Sequence, residues 1–488
     1  MTMSNFYGCS PGQMEVTVPE AVNKDGVTFY RVKVVMANHH WTVDRRYKDF
    51  AELHAKLVDA GGIEKDKLPE KKYLGNKDPA FIMKRRRELE TYLAEIFQFF
   101  LHALPDDLAS FLHLTEYDLN YAARRLAAAA HADAAAGRED EPGREFSWTP
   151  LEVHAVAERL KAPQPPQDTD REEHDFTHAA DRARRMRCLR MEGARGPLGA
   201  STVVPDQLRL DFLAFKSLTR LVLHEVVVGP GNVTALGMMR RTLRQLQANH
   251  CGIKSIRQLL LCDTLKEKNK EGEEEEDAEM EEVSDEILNN SSLSWPSLER
   301  LDLRFNEISE IDRSVKLVKT IDSLLLGGNQ VSKVENLTSL SSLEVLELAS
   351  NRLTDLDDLH VKVGNVQTLN ISHNKISGLG GLSRLYSLKD LNASNNRIAV
   401  LDHVSPACRS LPCLESLNLQ GNRVTAVVDY RLKVFEVFGK RCSEVRLDNE
   451  LPSQSEVDKV SVLMALRVAR EGQAPTALFG NLPRRVVQ

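Results

Sequence analysis

The chain has 488 residues, 28% of them charged and 42% apolar, a soluble and foldable composition with room for about three domains. Its formal net charge of -7 excludes a strongly basic nucleic-acid coat, and no apolar run approaches the ~18–20 residues that span a bilayer. Seven scattered cysteines without a CxxC argue for reduced thiols in a cytosolic protein and against a disulfide frame or zinc cluster.

The opening MTMSNFYGCSPGQ lacks the basic and apolar regions of a secretory leader. Residues Glu15–Val18, Val27–Met36 and Trp41–Val43 are β-branched and aromatic, which predicts three strands. Between the first two, Asn23-Lys24-Asp25-Gly26 reads as a hairpin turn. The spacing of Phe50, Leu53, Leu57 and Val58 then predicts a helix, stopped by Gly61-Gly62. Leu68-Pro69 opens an extended segment, and Pro79 starts a long helix carrying Phe81, Leu89, Leu93 and Phe97. The expected fold class is multidomain: a small α+β domain over 13–121, a linker, and a repeat solenoid.

Residues 122–205 combine an alanine-dense run with a Pro-, Gly- and charge-rich stretch, and are expected to be a mostly disordered linker. A leucine-rich repeat then takes over. Leucine makes up 27 of the 134 residues from Ser291 to Val424, yet none precedes Leu53. The asparagines of the pattern LxxLxLxxNxL fall at 306, 329, 351, 374, 396 and 422, in steps of 22 to 26. Cys251 holds the same position in an earlier copy. One unit cannot bury its own apolar face, so the copies must stack into an α/β solenoid, expected over 206–450. The leucines and asparagines are structural. Asp302, Arg304, Glu347, Asn370, Asn392 and Asn418 alternate outward and are expected to form the binding face. An acidic insert is placed at 264–290, where residues 271–286 hold 11 acidic residues in 16, and a cap helix at 451–472 precedes a tail at 473–488.

The chemistry-bearing segments lie near the N-terminus. They are Arg45-Arg46-Tyr47-Lys48-Asp49-Phe50, then Leu68-Pro69-Glu70-Lys71-Lys72, then Arg85-Arg86-Arg87 upstream of Tyr92-Leu93. Between Lys71 and Arg87 stand seven basic residues against Asp78 alone, a local patch suited to an anionic head group. In this order the segments resemble the phosphoinositide-binding PX (phox homology) family. That resemblance implies that Arg46 holds the 3-phosphate of phosphatidylinositol 3-phosphate, while Tyr47 packs under the inositol. It further implies that Lys71, or its neighbour Lys72, meets the 1-phosphate and that Arg85 holds the 4- and 5-hydroxyls. Arg45 and Arg86 are accessory candidates.

A PX domain followed by such repeats is similar to the nischarin family, with further support from Asp429-YRLKVFEVFGKRCSEVRLDN. The resemblance implies a cytoplasmic scaffold, peripheral on early or recycling endosomes. Its implied partners are integrin α-subunit tails, Rac and p21-activated kinase, with restraint of cell migration as the outcome. The alternatives are a leucine-rich-repeat regulatory subunit of a protein phosphatase and a sorting-type endosomal adaptor. No cofactor, metal or nucleic acid is expected, and no enzyme. Gly8-Cys9-Ser10-Pro11-Gly12 fits GxSxG without a strand before it, and His250-Cys251 with Arg257 mimics a phosphatase loop within repeat positions.

Overall fold

The computed structural model describes residues 14–36, 38–71, 78–100, 104–138, 143–161, 176–194, 196–229, 231–263 and 284–472. The acidic run before Ser284, the tail from 473 and the GxSxG match lie outside them. The chain divides into two compact units, the first running to Ile253 with the segment from Gln258, the second comprising Lys254–Arg257 and the residues from Ala278.

The first unit opens with an antiparallel sheet in the order β1 (Met14–Lys24), β2 (Val27–Met36), β3 (His39–Arg45). Lys24 pairs with Val27, and the two loop residues Asp25 and Gly26 both have positive φ, 53° and 77°. That is the twist-matched two-residue hairpin for which Asp-Gly is suited. Alternate residues Val16, Val18, Tyr30, Val32, Val34, Trp41 and Val43 enter the core. Helix α1 (Tyr47–Asp59) covers it with Phe50, Leu53 and Leu57 and ends before Gly61, whose φ is +74°. Helix α2 (Pro79–Phe99) adds Leu89, Leu93, Ile96 and Phe97, with Pro79 at its start and Asp78 accepting from the Phe81 N–H at 3.3 Å. The short helices α3 (Asp106–Phe111) and α4 (Leu114–Tyr117) close the layer.

The expectation of a mostly disordered linker over 122–205 is corrected by the structure. Helices α5 (Leu119–Ala135), α6 (Pro150–Lys161) and α7 (Thr177–Arg185), with strands β4 (Glu145–Trp148) and β5 (Cys188–Glu192), occupy most of its described residues. Alanine is the strongest helix former, and its small side chain lets helices approach closely. Ala122, Ala123, Ala127 and Ala130 on α5, Ala155 and Ala157 on α6, and Ala179, Ala180 and Ala183 on α7 are all buried. Asp133 ties the end of α5 to Arg138, Arg144 and Arg182 at 3.1, 2.8 and 2.9 Å.

The start of the solenoid is also earlier than 206. Strand β4 pairs in parallel with β5, β5 with β7 (Arg220–His224), and β7 with β9 (Gln245–Asn249); the two-residue strands β6 (Leu210–Asp211) and β8 (Val233–Thr234) pair beside them. The register aligns Phe146, Leu189, Leu221 and Leu246. Phe146 stands where the next copies carry leucine, and Trp148 aligns with Met191, Leu223 and Ala248, which hides the repeat from a leucine pattern. The first core reaches from the antiparallel sheet through Leu151 and Ala155 to Val203 and Leu208. Residues 200–202 run along β3: the Thr42 N–H donates to the Ala200 carbonyl at 3.3 Å and the Thr202 N–H to the His40 carbonyl at 2.7 Å.

The second unit is a parallel ladder of seven strands: β10 (Arg300–Asp302), β11 (Ser323–Leu325), β12 (Val345–Glu347), β13 (Thr368–Asn370), β14 (Asp390–Asn392), β15 (Ser416–Asn418) and β16 (Arg446–Leu447). Leucines 301, 324, 346, 369, 391, 417 and 447 stack in register. The asparagines form a buried ladder. Asn374, for example, donates to the carbonyls of Leu348, Ile371 and Ser372 at 2.8–3.1 Å and accepts from the Leu353 N–H at 3.0 Å. The residue before each ladder asparagine turns into the left-handed region: Phe305, Gly328, Ser350, His373, Asn395 and Gly421 have φ between 54° and 72°. Helix Tyr430–Phe438 and helix Gln454–Gly472 follow among the described residues, joined by Arg431 to Glu456 at 2.9 Å. Arg441 caps the carbonyls of Leu411 and Leu414 at 2.9 and 2.7 Å.

Candidate functional site: a basic cleft on the N-terminal sheet domain

The sheet-to-helix junction presents Arg46 and Tyr47 together. Arg46 is the N-cap of α1, with extended backbone, and its N–H donates to Asp49 at 2.7 Å. Its side chain is 48% exposed and its ion pair with Asp49 is long, 3.8 Å, so the guanidinium is available to a ligand. Tyr47 lies half-buried, and its hydroxyl donates to the Pro69 carbonyl at 2.5 Å.

Arg85 comes from the second turn of α2 and is only 5% exposed. Its guanidinium lies between two rings, 4.4 Å from the centre of Tyr47 and 4.3 Å from that of Phe81. It donates to the Glu70 carbonyl at 3.2 Å. It also faces Tyr30, whose hydroxyl pKa burial raises, with the Arg85 charge opposing. Tyr47 and Arg85 thus hold consecutive carbonyls of the proline-led loop, and that fixes where exposed Lys71 emerges. Lys72, like the apolar Tyr73-Leu74, lies outside the described residues.

Among the described residues no carboxylate pairs with Arg85, and the neighbouring residues 72–77 (KYLGNK) contain none. A buried cation without a counterion is costly, so an anionic group brought beside Arg85 would be stabilised there.

The accessory candidates are placed elsewhere. Arg45 donates to the Phe111 carbonyl at 3.0 and 2.6 Å and stacks on the Phe111 ring at 5.0 Å, which anchors α3. Burial lowers its pKa, opposed by Asp49 and Glu116. Arg86 donates to the Val18 carbonyl and pairs with Glu90 at 3.1 Å, while Glu90 accepts from the Val18 N–H at 3.0 Å. Both side chains are committed to packing. Sequence reasoning missed Phe81 and Tyr30 as walls of the cleft; Phe81, four residues before Arg85 on one helix face, was the legible signal.

A PX domain model matches residues 33–115, and a leucine rich repeat model matches residues 341–398. The chain carries a PX domain and leucine-rich repeats. Human kinesin-like protein KIF16B is 31% identical over 118 residues, covering 22% of this chain and 9% of that protein. Rat sorting nexin-24 is 33% identical over 88 residues, or 17% of this chain and 50% of that protein. The chain therefore spans half or less of these relatives. The X-ray structure of a designed CISK-PX domain matches at 30% identity over 20% of this chain and 97% of that chain, with a TM-score of 0.19. The PX domain points to phosphoinositide binding and the repeats to protein interactions.

On the expected binding face of the repeats Asp302 is buried, while Arg304, Glu347, Asn370, Asn392 and Asn418 are half-buried. Asp302, Asn370, Asn392 and Asn418 do alternate away from the leucines, but their side-chain oxygens accept from the backbone N–H two residues on, at 3.0–3.3 Å. Asp302 is 1% exposed and holds Arg304 at 2.8 Å. Glu347 is half-buried beside Arg304; burial raises its pKa, which Arg304 opposes. These side chains shape the strand ends before they meet any partner. Cys251, at the ladder position of its copy, is buried and directs its sulfur to the carbonyls of Asn249 and Leu223, as a repeat residue does.

Proposed function

We propose that the protein is a non-enzymatic, peripheral membrane scaffold whose PX domain reads phosphatidylinositol 3-phosphate on endosomal membranes while its repeats hold signalling proteins. The uncompensated Arg85, sandwiched by Tyr47 and Phe81 beside exposed Arg46 and Lys71, carries the lipid reading. Arg46 supplies the planar fork that a phosphate monoester accepts bidentately. Tyr47 offers a ring edge for the inositol, and Arg85 offers its remaining donors to ring hydroxyls. Among the described residues no helix is long and apolar enough to cross a membrane, so attachment in this reading comes from the head group and the flanking loop.

Vesicle sedimentation with single phosphoinositides tests the assignment. The 3-phosphate lipid should be retained best, and Arg46→Ala should lose at least tenfold in affinity. Equal binding by wild type and variant removes the lipid assignment. Sorting nexin-24 favours a trafficking adaptor as the second reading. The resemblance to the nischarin family extends the first to integrin α-subunit tails, Rac and p21-activated kinase. Proximity labelling in cells, with and without residues beyond 200, separates the two by whether GTPase effectors or coat components are recovered.

A further inference from the structure

The residue that follows each ladder asparagine changes character along the second unit. It is Glu307 and Gln330 in the first two copies, then Arg352, Lys375, Arg397 and Arg423 in the next four. All four basic residues are exposed. Their positions are stacked: the Arg352 N–H donates to the Val331 carbonyl, Lys375 to Leu353 and Arg397 to Ile376, each at 2.8–2.9 Å. Asn422, which precedes Arg423, accepts from the Ile398 N–H at 3.1 Å and so carries the row into the fourth copy. At the ~4.8 Å spacing of neighbouring strands, four such residues span about 15 Å in a line.

Among the described residues no carboxylate neutralises this row. Among the described residues, the arginines elsewhere in the unit are commonly ion-paired: Arg304 with Asp302, Arg431 with Glu456 and Arg467 with Glu436. Among the described residues none of the four row residues has such a partner. Within three residues of any of them the sequence offers a single carboxylate, Asp355, which already accepts from the Thr354 hydroxyl at 3.0 Å. Beside the row lie Ser350, His373, Asn395 and Gly421, polar or small and without a carboxylate. Like charges stacked at strand spacing repel one another, so the arrangement costs stability, and no ion pair among the described residues offsets that.

We infer that this row is a docking edge for an acidic polypeptide segment bound in extended form along the solenoid. Charge complementarity selects the partner. Four positive groups in a straight line match a strand-like chain, which advances ~3.3 Å per residue and so needs about five residues to cover the row. A planar anionic surface would be met by a two-dimensional patch, whereas this is a single file. The surface is separate from the outward strand positions and does not depend on the lipid site.

The test uses the full chain and a fluorescein-labelled poly-glutamate 12-mer, with phosphatidylserine vesicles free of phosphoinositide as the second probe. R352Q/K375Q/R397Q/R423Q should weaken peptide binding about tenfold or more and flatten its salt dependence. K319Q/K333Q/R384Q/R409Q removes four exposed charges off the row and should change affinity less than twofold. The row variant should melt at or above the wild-type temperature, since repulsion is relieved. Equal losses in the two variants overturn the proposal, as does a row variant that loses only vesicle binding. Should the quadruple variant fail to fold, Arg397→Gln alone should weaken peptide binding about threefold, and no change there overturns the proposal.

Discussion

The two units use buried and half-buried polar side chains in opposite ways. In the repeats one residue type does one job: from Asn329 to Asn422 each ladder asparagine bonds the carbonyls of its own and the preceding copy. In the PX domain four arginines, two adjacent pairs in sequence, take four different roles. Arg45 anchors α3, Arg46 faces outward, Arg85 is stacked between rings, and Arg86 clamps β1. Periodicity makes function redundant and readable, whereas a single globular core assigns each side chain by where the chain happens to return. Four experiments press on that contrast.

The largest effect should come from cutting the chain after residue 121. This removes Leu151, Ala155, Val203 and Leu208 from the first core and the 200–202 segment from β3. Loss on the order of 5 kcal/mol is expected from apolar burial alone. Thermal unfolding of residues 1–121 should show a broad or much lowered transition. A transition equal to that of the longer unit would show the PX domain to be independent.

Next is Asn374→Ala, which strands several buried carbonyls and one N–H. Urea unfolding should show a loss of about 3 kcal/mol or more, with phosphoinositide binding intact below the new midpoint. A loss under about 1 kcal/mol would mean that the ladder is dispensable.

The third experiment compares neighbours. Arg45→Gln should cost about 1–3 kcal/mol of stability by orphaning the Phe111 carbonyl, and leave lipid affinity within twofold. Arg46→Gln should do the reverse, lowering affinity about tenfold with stability unchanged within ~0.5 kcal/mol. Matching phenotypes would erase the distinction drawn between them.

The smallest effect concerns Asp118, where α4 meets α5. Burial pushes its carboxyl up to about 6, against backbone N–H groups of Asn120 and Tyr121 that hold it down. A carboxyl raised on folding favours the protonated native state. Its contribution to stability is therefore greatest below about pH 4, falls as pH rises to about 6, and is constant above. Relative to Asp118→Asn, the wild-type protein should gain on the order of 1–2 kcal/mol between pH 7 and pH 4. Parallel melting curves for the two proteins across that range would show that Asp118 is solvated.

Much of this architecture is written in local pattern. The hairpin at Asp25-Gly26, the stop before Gly61 and the proline-started α2 follow from backbone preferences of single residues. The leucine and asparagine steps dictate the stacked strands, because a unit that cannot bury its own apolar face must bury it against a copy. The pairing of Arg46 with Tyr47 was legible too, since they are consecutive.

Other features belong to the tertiary structure alone. The alanine-rich segment reads as a solvated tether because its side chains are small, yet small side chains are what let α5, α6 and α7 approach closely. Its ordering depends on partners far along the chain: Arg182 on Asp133, and residues 200–202 on β3. The sorting of Arg45 and Arg86 into packing, and of Arg85 into an unpaired stacked cation, likewise rests on which carbonyls and rings arrive beside them. The sequence by itself determined a PX-like sheet domain and a repeat solenoid, through turn chemistry and periodicity. Only the tertiary structure decided which of its many charges stay uncompensated, because a charge is neutralised by its neighbours in space and not by those in sequence.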